Sequence, residues 1–425
     1  MTSRQRVLAA FAHAQPDAVP IDFSGHRSSG IAALAYSGLR RHLGLPARPV
    51  RVYDPIQQLA VIDDDVLARF RVDTVEMGRG FSRDAGDWQE WTLPDGTPCL
   101  MPSWVKLERR PGEWVMKSTK GTVLGRMPDG ALYFEQVNYP FVDSDDLPGL
   151  EQAYEECMWT SQAAAAPPGP AGAGPDGQGR LREGALRLRG STDRAVIGLF
   201  GGNLLEAGQF LYRNDTFFIL LAGEPGRAAA FMDAAVELHL EKLRTFLAAV
   251  GDAIDIIVFG DDLGMQTGPQ ISPAMYRELF KPRHALLWNA AKKLAPAGRG
   301  GDPSRPALKV MLHSCGSIRT LLPDLIDAGL DAVNPVQISA VGMEAAGLKK
   351  DFGRDIVLWG GGCDTQTILR SGTPEEVRIH VRRQVDALAP GGGFVFQQVH
   401  NILDGIPPGN IEAMFDAVRA PFARR

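Results

Sequence analysis

Histidine, cysteine, aspartate and asparagine side chains follow one short apolar run after another in the second half of this 425-residue chain. The sharpest cluster is His313-Ser314-Cys315, because residues two apart on a strand point to the same side. An imidazole and a thiolate on one side are two of the ligands that zinc prefers. The same pair is also typical of a buried cysteine beside a hydrogen-bonded histidine, so a metal site needs further ligands.

Two further donors, Cys363 and His400, follow later apolar runs. A catalytic zinc takes three protein ligands and keeps a fourth position open. We therefore predict a zinc site that contains His313 and Cys315. The third ligand is either His400 or Cys363.

Two adjacent aspartates, Asp261 and Asp262, follow an earlier run. Adjacent strand residues face opposite ways, so the two carboxyl groups are not expected to share a proton. We assign Asp261 to the site as the catalytic group that supplies or takes a proton, while Asp262 caps the following segment. The alternative is that both are turn residues before Gly264.

Other polar residues at the predicted strand ends are candidates for substrate binding. Arg27 follows the first predicted strand, where a guanidinium group can hold a substrate carboxylate in a bidentate contact. Its alternative is a solvated loop residue. The full set of candidate substrate-binding residues is His26, Arg27, Asn203, Gln337, Asp364 and Asn401.

The elements that must position these residues are nearly continuous apolar runs separated by helical patterns. Such runs are typical of parallel strands buried on both faces, and their alternation with helices favours a parallel sheet. Eight of them favour a closed (β/α)8 barrel of TIM type, with the active site at the C-terminal strand ends. A doubly wound open sheet is the alternative, although no Gly-rich nucleotide turn supports it. The predicted strands are Val19–Phe23, Val72–Met77, Ala195–Phe200, Ile254–Phe259, Leu308–Leu312, Ala332–Val336, Ile356–Trp359 and Phe394–Val399.

We predict one domain over residues 1–425, with additions to the barrel. An N-terminal helical arm covers Arg4 to His13. Two Pro-Asp-Gly turns, at residues 94–96 and 128–130, predict an antiparallel β insertion at about residues 88–141. Residues from about 161 to 184 are rich in Ala, Pro and Gly without periodicity, which predicts a flexible linker.

The composition excludes several classes of function. With 45 Lys and Arg against 50 Asp and Glu, the net charge of −5 offers no surface for nucleic acid or an anionic membrane. Neither a signal peptide nor a membrane helix is indicated, so we expect a cytoplasmic protein. Four scattered cysteines are too few for a disulfide framework.

The motifs of the C-terminal half resemble the uroporphyrinogen decarboxylase superfamily, and within it the methyltransferase-like branch. The resemblance covers less than half of the chain and implies a (β/α) barrel. It lies in Arg4–Phe23, Gly260–Pro282, Lys309–Gln337 and Val357–Val418. The most specific stretches are Gly260-Asp261-Asp262-Leu263-Gly264, His313-Ser314-Cys315-Gly316-Ser317, Trp359-Gly360-Gly361-Gly362 and Pro407-Pro408-Gly409-Asn410-Ile411-Glu412-Ala413-Met414.

The resemblance implies one of two chemistries. The decarboxylases use no cofactor and grip a porphyrinogen with arginines near the first strand and an aspartate nearby; here residues 24–30 hold only Arg27. The methyltransferases pass a methyl group to a corrinoid cofactor or to coenzyme M. Their zinc lies on a His-x-Cys strand end and a later cysteine. This chain matches at His313 and Cys315, and has His400 at the later position, with Cys363 as the alternative.

We therefore expect a zinc-dependent methyltransferase that demethylates a small metabolite. The acceptor is expected to be a corrinoid, carried by a partner protein, or tetrahydrofolate. A cofactor-free decarboxylase of a carboxylated small molecule or porphyrinogen is the alternative. A third reading, from another class, is a non-catalytic barrel that binds a corrinoid or tetrapyrrole.

Overall fold

Short apolar runs form the central strands, because both of their faces are covered by other parts of the chain. The computed structural model describes residues 1–143, 149–295 and 306–419; the rest of the predicted single domain lies outside the described residues. The strands are β1 (Val50–Asp54), β2 (Leu59–Ala60), β3 (Thr74–Glu76), β4 (Trp88–Thr92), β5 (Pro98–Pro102), β6 (Lys106–Arg110), β7 (Glu113–Lys117), β8 (Val123–Pro128), β9 (Glu135–Gln136), β10 (Ala195–Gly201), β11 (Ile256–Gly260), β12 (Lys309–His313), β13 (Ala332–Asn334), β14 (Val357–Trp359) and β15 (Phe394–Val395).

Helices follow most of the central strands and cover the sheet. They are α1 (Ser3–Phe11), α2 (Ala33–His42), α3 (Asp64–Arg69), α4 (Leu150–Glu155), α5 (Gly177–Ser191), α6 (Leu205–Tyr212), α7 (Asn214–Gly223), α8 (Pro225–Val250), α9 (Pro273–Met275), α10 (Lys281–Leu294), α11 (Leu322–Asp327), α12 (Ala345–Phe352), α13 (Ile368–Ser371), α14 (Pro374–Leu388) and α15 (Pro408–Arg419). Within the described residues, none of these helices is long and apolar enough to cross a membrane.

Seven parallel strands form one curved sheet in the order β15-β14-β13-β12-β11-β10-β3. The segment predicted as the first strand lies between the two edges of this sheet. Ile21 forms a parallel bridge with Phe396, directly after β15. On its other side, the Ile21 carbonyl accepts a hydrogen bond from Asp73 N at 2.7 Å, directly before β3. The bonds on both sides close the sheet into a barrel, although this segment contributes a bridge rather than a full ladder.

Helix α1 covers the end of the barrel opposite to the C-terminal strand ends. The apolar side chains of Val7, Ala10 and Phe11 pack against the residues that fill the barrel interior. The ammonium group of Lys309, the first residue of β12, lies over the Phe11 ring at 5.9 Å from its centroid. The open end of the barrel is therefore the end where the strands finish, which we call the barrel mouth.

Residues 88–136 form strands that pair mainly antiparallel. Strands β6 to β9 make one sheet, and β4 and β5 join β1 and β2 in another. The glycines of the two Pro-Asp-Gly turns, Gly96 and Gly130, have φ values of +86° and +82°. Glycine adopts such values without the steric cost that other residues meet, so the turns form where the sequence places them.

The stretch predicted to be a flexible linker has more structure than expected. Its last eight residues belong to α5, which continues to Ser191. Earlier in the stretch, Ala163 and Ala164 are buried. The prediction counted Ala and Gly as linker residues, but apolar side chains at Leu181, Ala185 and Leu188 give this helix a face to bury.

Candidate metal centre at the barrel mouth

Three neighbouring strands end side by side at the mouth. Gly260, at the end of β11, pairs with His313, at the end of β12. Asn334, at the end of β13, pairs with His313 from the other side. Because C-terminal strand ends of a barrel converge, the residues that follow these strands face one common space.

The side chains of His313, Cys315 and His400 converge in this space. One ligand atom from each lies within 4.8 Å of the other two, and no other such group of three occurs in the described residues. The Cys315 Sγ is 3.5 Å from the His313 Nε2. With bonds of about 2.1 Å to nitrogen and 2.3 Å to sulfur, two ligands of a tetrahedral zinc lie roughly 3.6 Å apart. The sulfur–nitrogen separation therefore fits a single zinc ion.

A chain of amide and imidazole groups determines which nitrogen of His313 is free. Asn334 Oδ1 accepts from His313 Nδ1 at 2.8 Å, and Asn334 Nδ2 donates to Gln397 Oε1 at 2.7 Å. The same Gln397 oxygen accepts from His26 Nε2 at 3.2 Å. His313 Nε2 therefore presents its lone pair to the mouth, where the Ser28 hydroxyl lies 3.2 Å away. Hydrogen bonds of this kind orient a histidine for metal binding.

The chemistry of the donor set also suits a divalent cation. His400 reaches across the mouth from the loop after β15, and its ring centroid lies 5.7 Å from that of His313. Burial and the nearby His313 lower the pKa of His400 to about 3, so the ring is neutral. Burial, with Asp262 and Glu206 nearby, raises the pKa of the Cys315 thiol well above its usual range. A bound cation would favour the thiolate and use the imidazole lone pairs.

Asp261 does not enter the mouth as predicted. The side chain is fully buried. Its Oδ1 accepts from Glu206 N at 2.9 Å and its Oδ2 from Leu205 N at 3.0 Å. His284 Nε2 also donates to Oδ2, at 3.1 Å. Both oxygens thus bind protein groups at the start of α6 and on α10, which corrects the catalytic assignment to a structural one.

Asp262 is the aspartate that faces the candidate ligands. About a third of its side chain is exposed, and its Oδ1 lies 3.8 Å from His313 Nε2. The same oxygen accepts from Cys315 N at 2.8 Å. The sequence pattern predicts that the two aspartates diverge, but it does not determine which of them points inward.

Glu206 is a site residue that the sequence analysis missed. Its Oε2 accepts from Asp262 N at 3.0 Å and from Asn203 Nδ2 at 2.6 Å. Burial, followed by the carboxyl groups of Asp262 and Asp261, raises its pKa well above the usual range. The sequence feature that could have indicated Glu206 is its position three residues after Asn203, in the first turn of a helix that begins at the mouth.

Arg27 is held in place by a buried carboxylate. Its Nε donates to Asp54 Oδ2 at 2.5 Å. Its Nη2 is buried and has no hydrogen-bond partner in the described part of the chain. The guanidinium group therefore keeps N–H donors that the described part of the protein does not use. His26, the preceding residue, is buried and belongs to the hydrogen-bond chain that orients His313.

The other predicted substrate-binding side chains are used in hydrogen bonds within the protein. Each of the four side chains makes a hydrogen bond that helps to hold a loop in place. The bonds join Asn203 Nδ2 to Glu206 Oε2 (2.6 Å), Gly316 N to Gln337 Oε1 (2.7 Å), Gln366 N to Asp364 Oδ1 (2.9 Å) and Gly30 N to Asn401 Oδ1 (2.8 Å).

Cys363 does not join the group of ligand atoms. It is fully buried, and its Sγ lies 3.9 Å from the carbonyl oxygen of Asp364. Burial raises the pKa of this thiol above its usual range. The alternative third ligand thus behaves as a small core residue, and His400 occupies the position that completes the group.

Two glycines allow the loops after β11 and β12 to touch. A Cβ atom on Gly316 would lie 2.4 Å from the carbonyl carbon of Gly264, and one on Gly264 would lie 2.5 Å from Cys315 O. Gly316 also has a φ of +86°. Real Cβ atoms do not approach backbone this closely, so this contact ties the loop of Asp262 to the loop of Cys315.

Comparison with known sequences places this arrangement in a family. The sequence model of the family described as uroporphyrinogen decarboxylase (URO-D) matches residues 192–421, more than half of the chain. The chain belongs to the uroporphyrinogen decarboxylase family. The URO-D match runs from just before β10 to beyond α15, and it includes all three candidate ligands.

A solved structure is similar in fold to this chain over nearly its whole length. It is a methyltransferase from Methanosarcina mazei, with a TM-score of 0.57, 16% sequence identity and coverage of 98% of both chains. At this identity the likeness concerns the fold, and it agrees with the TIM-type barrel predicted from the strands. No curated protein sequence matches the chain significantly.

Proposed function

We propose that this URO-D family protein is a metal-dependent methyltransferase. It removes a methyl group from a small methylated metabolite and passes it to a corrinoid or folate acceptor. The observation that carries the proposal is the convergence of one ligand atom each from His313, Cys315 and His400 within 4.8 Å. Two imidazoles and one thiolate match the three-ligand sets of catalytic zinc sites, which keep a fourth position open.

His313, Cys315 and His400 would hold the metal. When bound, zinc supplies Lewis-acid polarisation of the heteroatom from which the methyl group leaves. Asn334 keeps the lone pair of His313 Nε2 directed at the site through its 2.8 Å hydrogen bond to Nδ1. The carboxylate of Asp262, 3.8 Å from that nitrogen, accepts a hydrogen bond or a proton from a group bound beside the ligands.

Arg27 is the residue that would orient a substrate carboxylate. Asp54 fixes the guanidinium plane through the 2.5 Å bond to Nε, while Nη2 is left without a protein partner. A buried cationic donor without a partner binds an anionic oxygen strongly. Arg27 follows Ser24–His26 in the same loop as Ser28, whose hydroxyl contacts His313 Nε2 at 3.2 Å, so the carboxylate would lie near the metal.

The same arginine favours one alternative, a cofactor-free decarboxylase of a carboxylated small molecule. A single guanidinium group is enough for one carboxylate, but a porphyrinogen carries many. Production of coproporphyrinogen from uroporphyrinogen by the purified protein would support the alternative, and so would decarboxylation that survives complete removal of metal.

Metal analysis and methyl transfer test the proposal together. We expect about one zinc per chain in protein purified without chelator. We also expect methylcobalamin to form from cob(I)alamin and at least one compound in a panel of N-, O- and S-methylated metabolites. Cys315→Ser should lose the metal, whereas Cys99→Ser, at a buried cysteine in β5, is the matched control. Metal-free wild-type protein that transfers no methyl group would overturn the proposal.

A further inference from the structure

Glu206 lies in the first turn of α6 with one half of its carboxyl group bound and the other half free. Its Oε2 accepts from Asp262 N and Asn203 Nδ2, at 3.0 and 2.6 Å. Its Oε1 makes no hydrogen bond in the described part of the chain. The side chain is partly buried beside Asp262, which itself faces His313 and Cys315.

Burial and the carboxyl groups of Asp262 and Asp261 raise the pKa of Glu206, against the hydrogen bonds from Asp262 N and Asn203 Nδ2, which lower it, and the net shift is well upward. Asp261 and Asp262 place two carboxyl groups beside it, and both oppose a further negative charge. On α8, His239 donates to Asn203 O at 3.1 Å; burial lowers its pKa to about 4, so it brings no positive charge. A carboxyl group that is kept neutral in such surroundings has a proton to donate at neutral pH.

The first turn of α6 is held rigidly, which fixes the carboxyl group of Glu206. Asp261 binds the backbone N–H groups of Leu205 and Glu206 at 3.0 and 2.9 Å. Asp261 is bound in turn by His284 Nε2 at 3.1 Å, and Tyr276 donates its hydroxyl proton to His284 Nδ1 at 3.2 Å. The Tyr276–His284–Asp261 chain therefore consists of positioning residues for Glu206.

We propose that Glu206 is the general acid of the methyl transfer, protonating the heteroatom that loses its methyl group. This inference rests on the proposed function. The acceptor's lone pair forms the new bond to the methyl carbon, and the electron pair of the broken bond stays on the heteroatom. The heteroatom then takes the proton from the free side of the Glu206 carboxyl group. The resulting carboxylate regains a proton from solvent.

The role of Glu206 predicts a dependence on the leaving group that a purely structural role would not produce. A general acid matters most when the departing group is strongly basic and little when it is a stable anion. With cob(I)alamin as acceptor and aryl methyl ethers of graded phenol acidity as probes, Glu206→Gln should lose about 100-fold or more on the most basic leaving groups. The loss should shrink steadily towards the most acidic phenols. Glu90→Gln, at an exposed glutamate of β4, is the matched control.

Infrared spectroscopy tests the proton itself without any substrate. In the zinc-loaded protein at pH 7, the spectrum of the wild type minus that of Glu206→Gln should contain the carbonyl band of a protonated carboxyl group. The Glu90→Gln difference spectrum should not contain it. Should Glu206→Gln fail to fold, Glu206→Met, of similar volume and without a proton, takes its place.

The outcomes separate this inference from the proposed function. The acid role is supported if Glu206→Gln keeps normal zinc content, lacks the protonated carboxyl band and loses activity in proportion to the basicity of the leaving group. A uniform loss over all probes, or no protonated carboxyl band, overturns the acid role and leaves the metal-dependent transfer in place. Loss of methyl transfer in the wild type overturns the proposed function, and the infrared band still decides whether Glu206 holds a proton.

Discussion

Two groups of polar residues follow the barrel strands, and they differ in what their polar atoms bind. Asp262 Oδ1 lies 3.8 Å from His313 Nε2, and His313 and His400 each contribute one atom to the group of ligand atoms within 4.8 Å. Asp364 and Asn401 look similar in sequence, yet both are nearly fully buried; Asp364 binds the backbone N–H of Gln366 in its own loop, and Asn401 binds that of Gly30. Position at a strand end therefore does not by itself separate the candidate ligands from residues that hold loops in place.

The two adjacent aspartates give the sharpest form of this comparison. Asp261 and Asp262 have the same side chain and consecutive positions, but one is fully buried and the other is about a third exposed. Buried Asp261 supports the scaffold, and exposed Asp262 faces the candidate ligands. Four sets of variants, in order of decreasing expected effect, test whether this division is real.

Removal of a candidate ligand should have the largest effect. We expect His313→Ala and Cys315→Ser to lose nearly all bound zinc and to lower methyl transfer by more than about 100-fold, since changes behind a ligand alone cost about 10–100-fold. The matched control is Cys363→Ser, at a fully buried thiol outside the ligand group. It should keep the metal and lower the free energy of unfolding instead. If Cys363→Ser loses zinc while His400→Ala retains it, the third ligand is Cys363 and not His400.

The paired variants Asp262→Asn and Asp261→Asn should separate activity from stability. Asp262→Asn should lower methyl transfer by about 100-fold with little change in unfolding free energy. Asp261→Asn should cost about 2 kcal/mol of stability, because one amide oxygen cannot serve the donors of Leu205, Glu206 and His284. Urea unfolding and methylcobalamin formation measure the two effects. The reverse pattern would restore the catalytic role to Asp261.

Asn334 should affect the metal without being a ligand. Asn334→Ala removes the acceptor of the His313 Nδ1 proton, so zinc should bind about 10–100-fold more weakly. Asn334→Asp keeps that acceptor and should recover much of the affinity. The control Asn401→Ala breaks a hydrogen bond to Gly30 N and should leave zinc affinity unchanged. Competition with a fluorescent zinc chelator measures these affinities, and equal values for all three variants would contradict the orienting role.

The smallest effect is expected for Asp364. Its carboxylate accepts from Gln366 N at 2.9 Å and from the Thr367 hydroxyl, before α13. Asp364→Asn should therefore cost only about 1 kcal/mol of stability and change the methyl-transfer rate by less than about twofold. A large drop in rate with unchanged stability would show that Asp364 takes part in the chemistry although its carboxylate is hydrogen-bonded within the protein. The division between the two groups of polar residues would then be wrong.

The barrel and the closeness of the candidate pair His313 and Cys315 could be predicted from the sequence because both depend on local patterns. The strand Ile256–Gly260 is buried on both faces, so its sequence contains no polar side chain and can be recognised as a buried strand. His313 and Cys315 are two residues apart at a strand end, so their common direction follows from strand geometry.

The rest of the site depends on contacts between residues far apart in the chain. Glu206 becomes a site residue because Asp262 N, 56 positions later, donates to it at 3.0 Å. Arg27 is fixed by Asp54, in a strand with no pattern of its own to indicate this. His400 was preferred to Cys363 only by family resemblance, since no spacing rule relates the loop after β15 to β12. Each of these three assignments depends on a contact formed in the folded chain, and no local sequence pattern indicates such a contact.

The contact between Gly264 and Gly316 limits how this protein can evolve. Each glycine faces the backbone of the other's loop at less than 3 Å from a would-be Cβ, so either one replaced alone meets the same obstruction. A single substitution at either position therefore forces one of the two loops to move, whatever the new side chain is. The exposed side chains of the nearby residues Met265 and Val341 meet no such obstruction. A directed-evolution library has the best prospects there, with both glycines left intact.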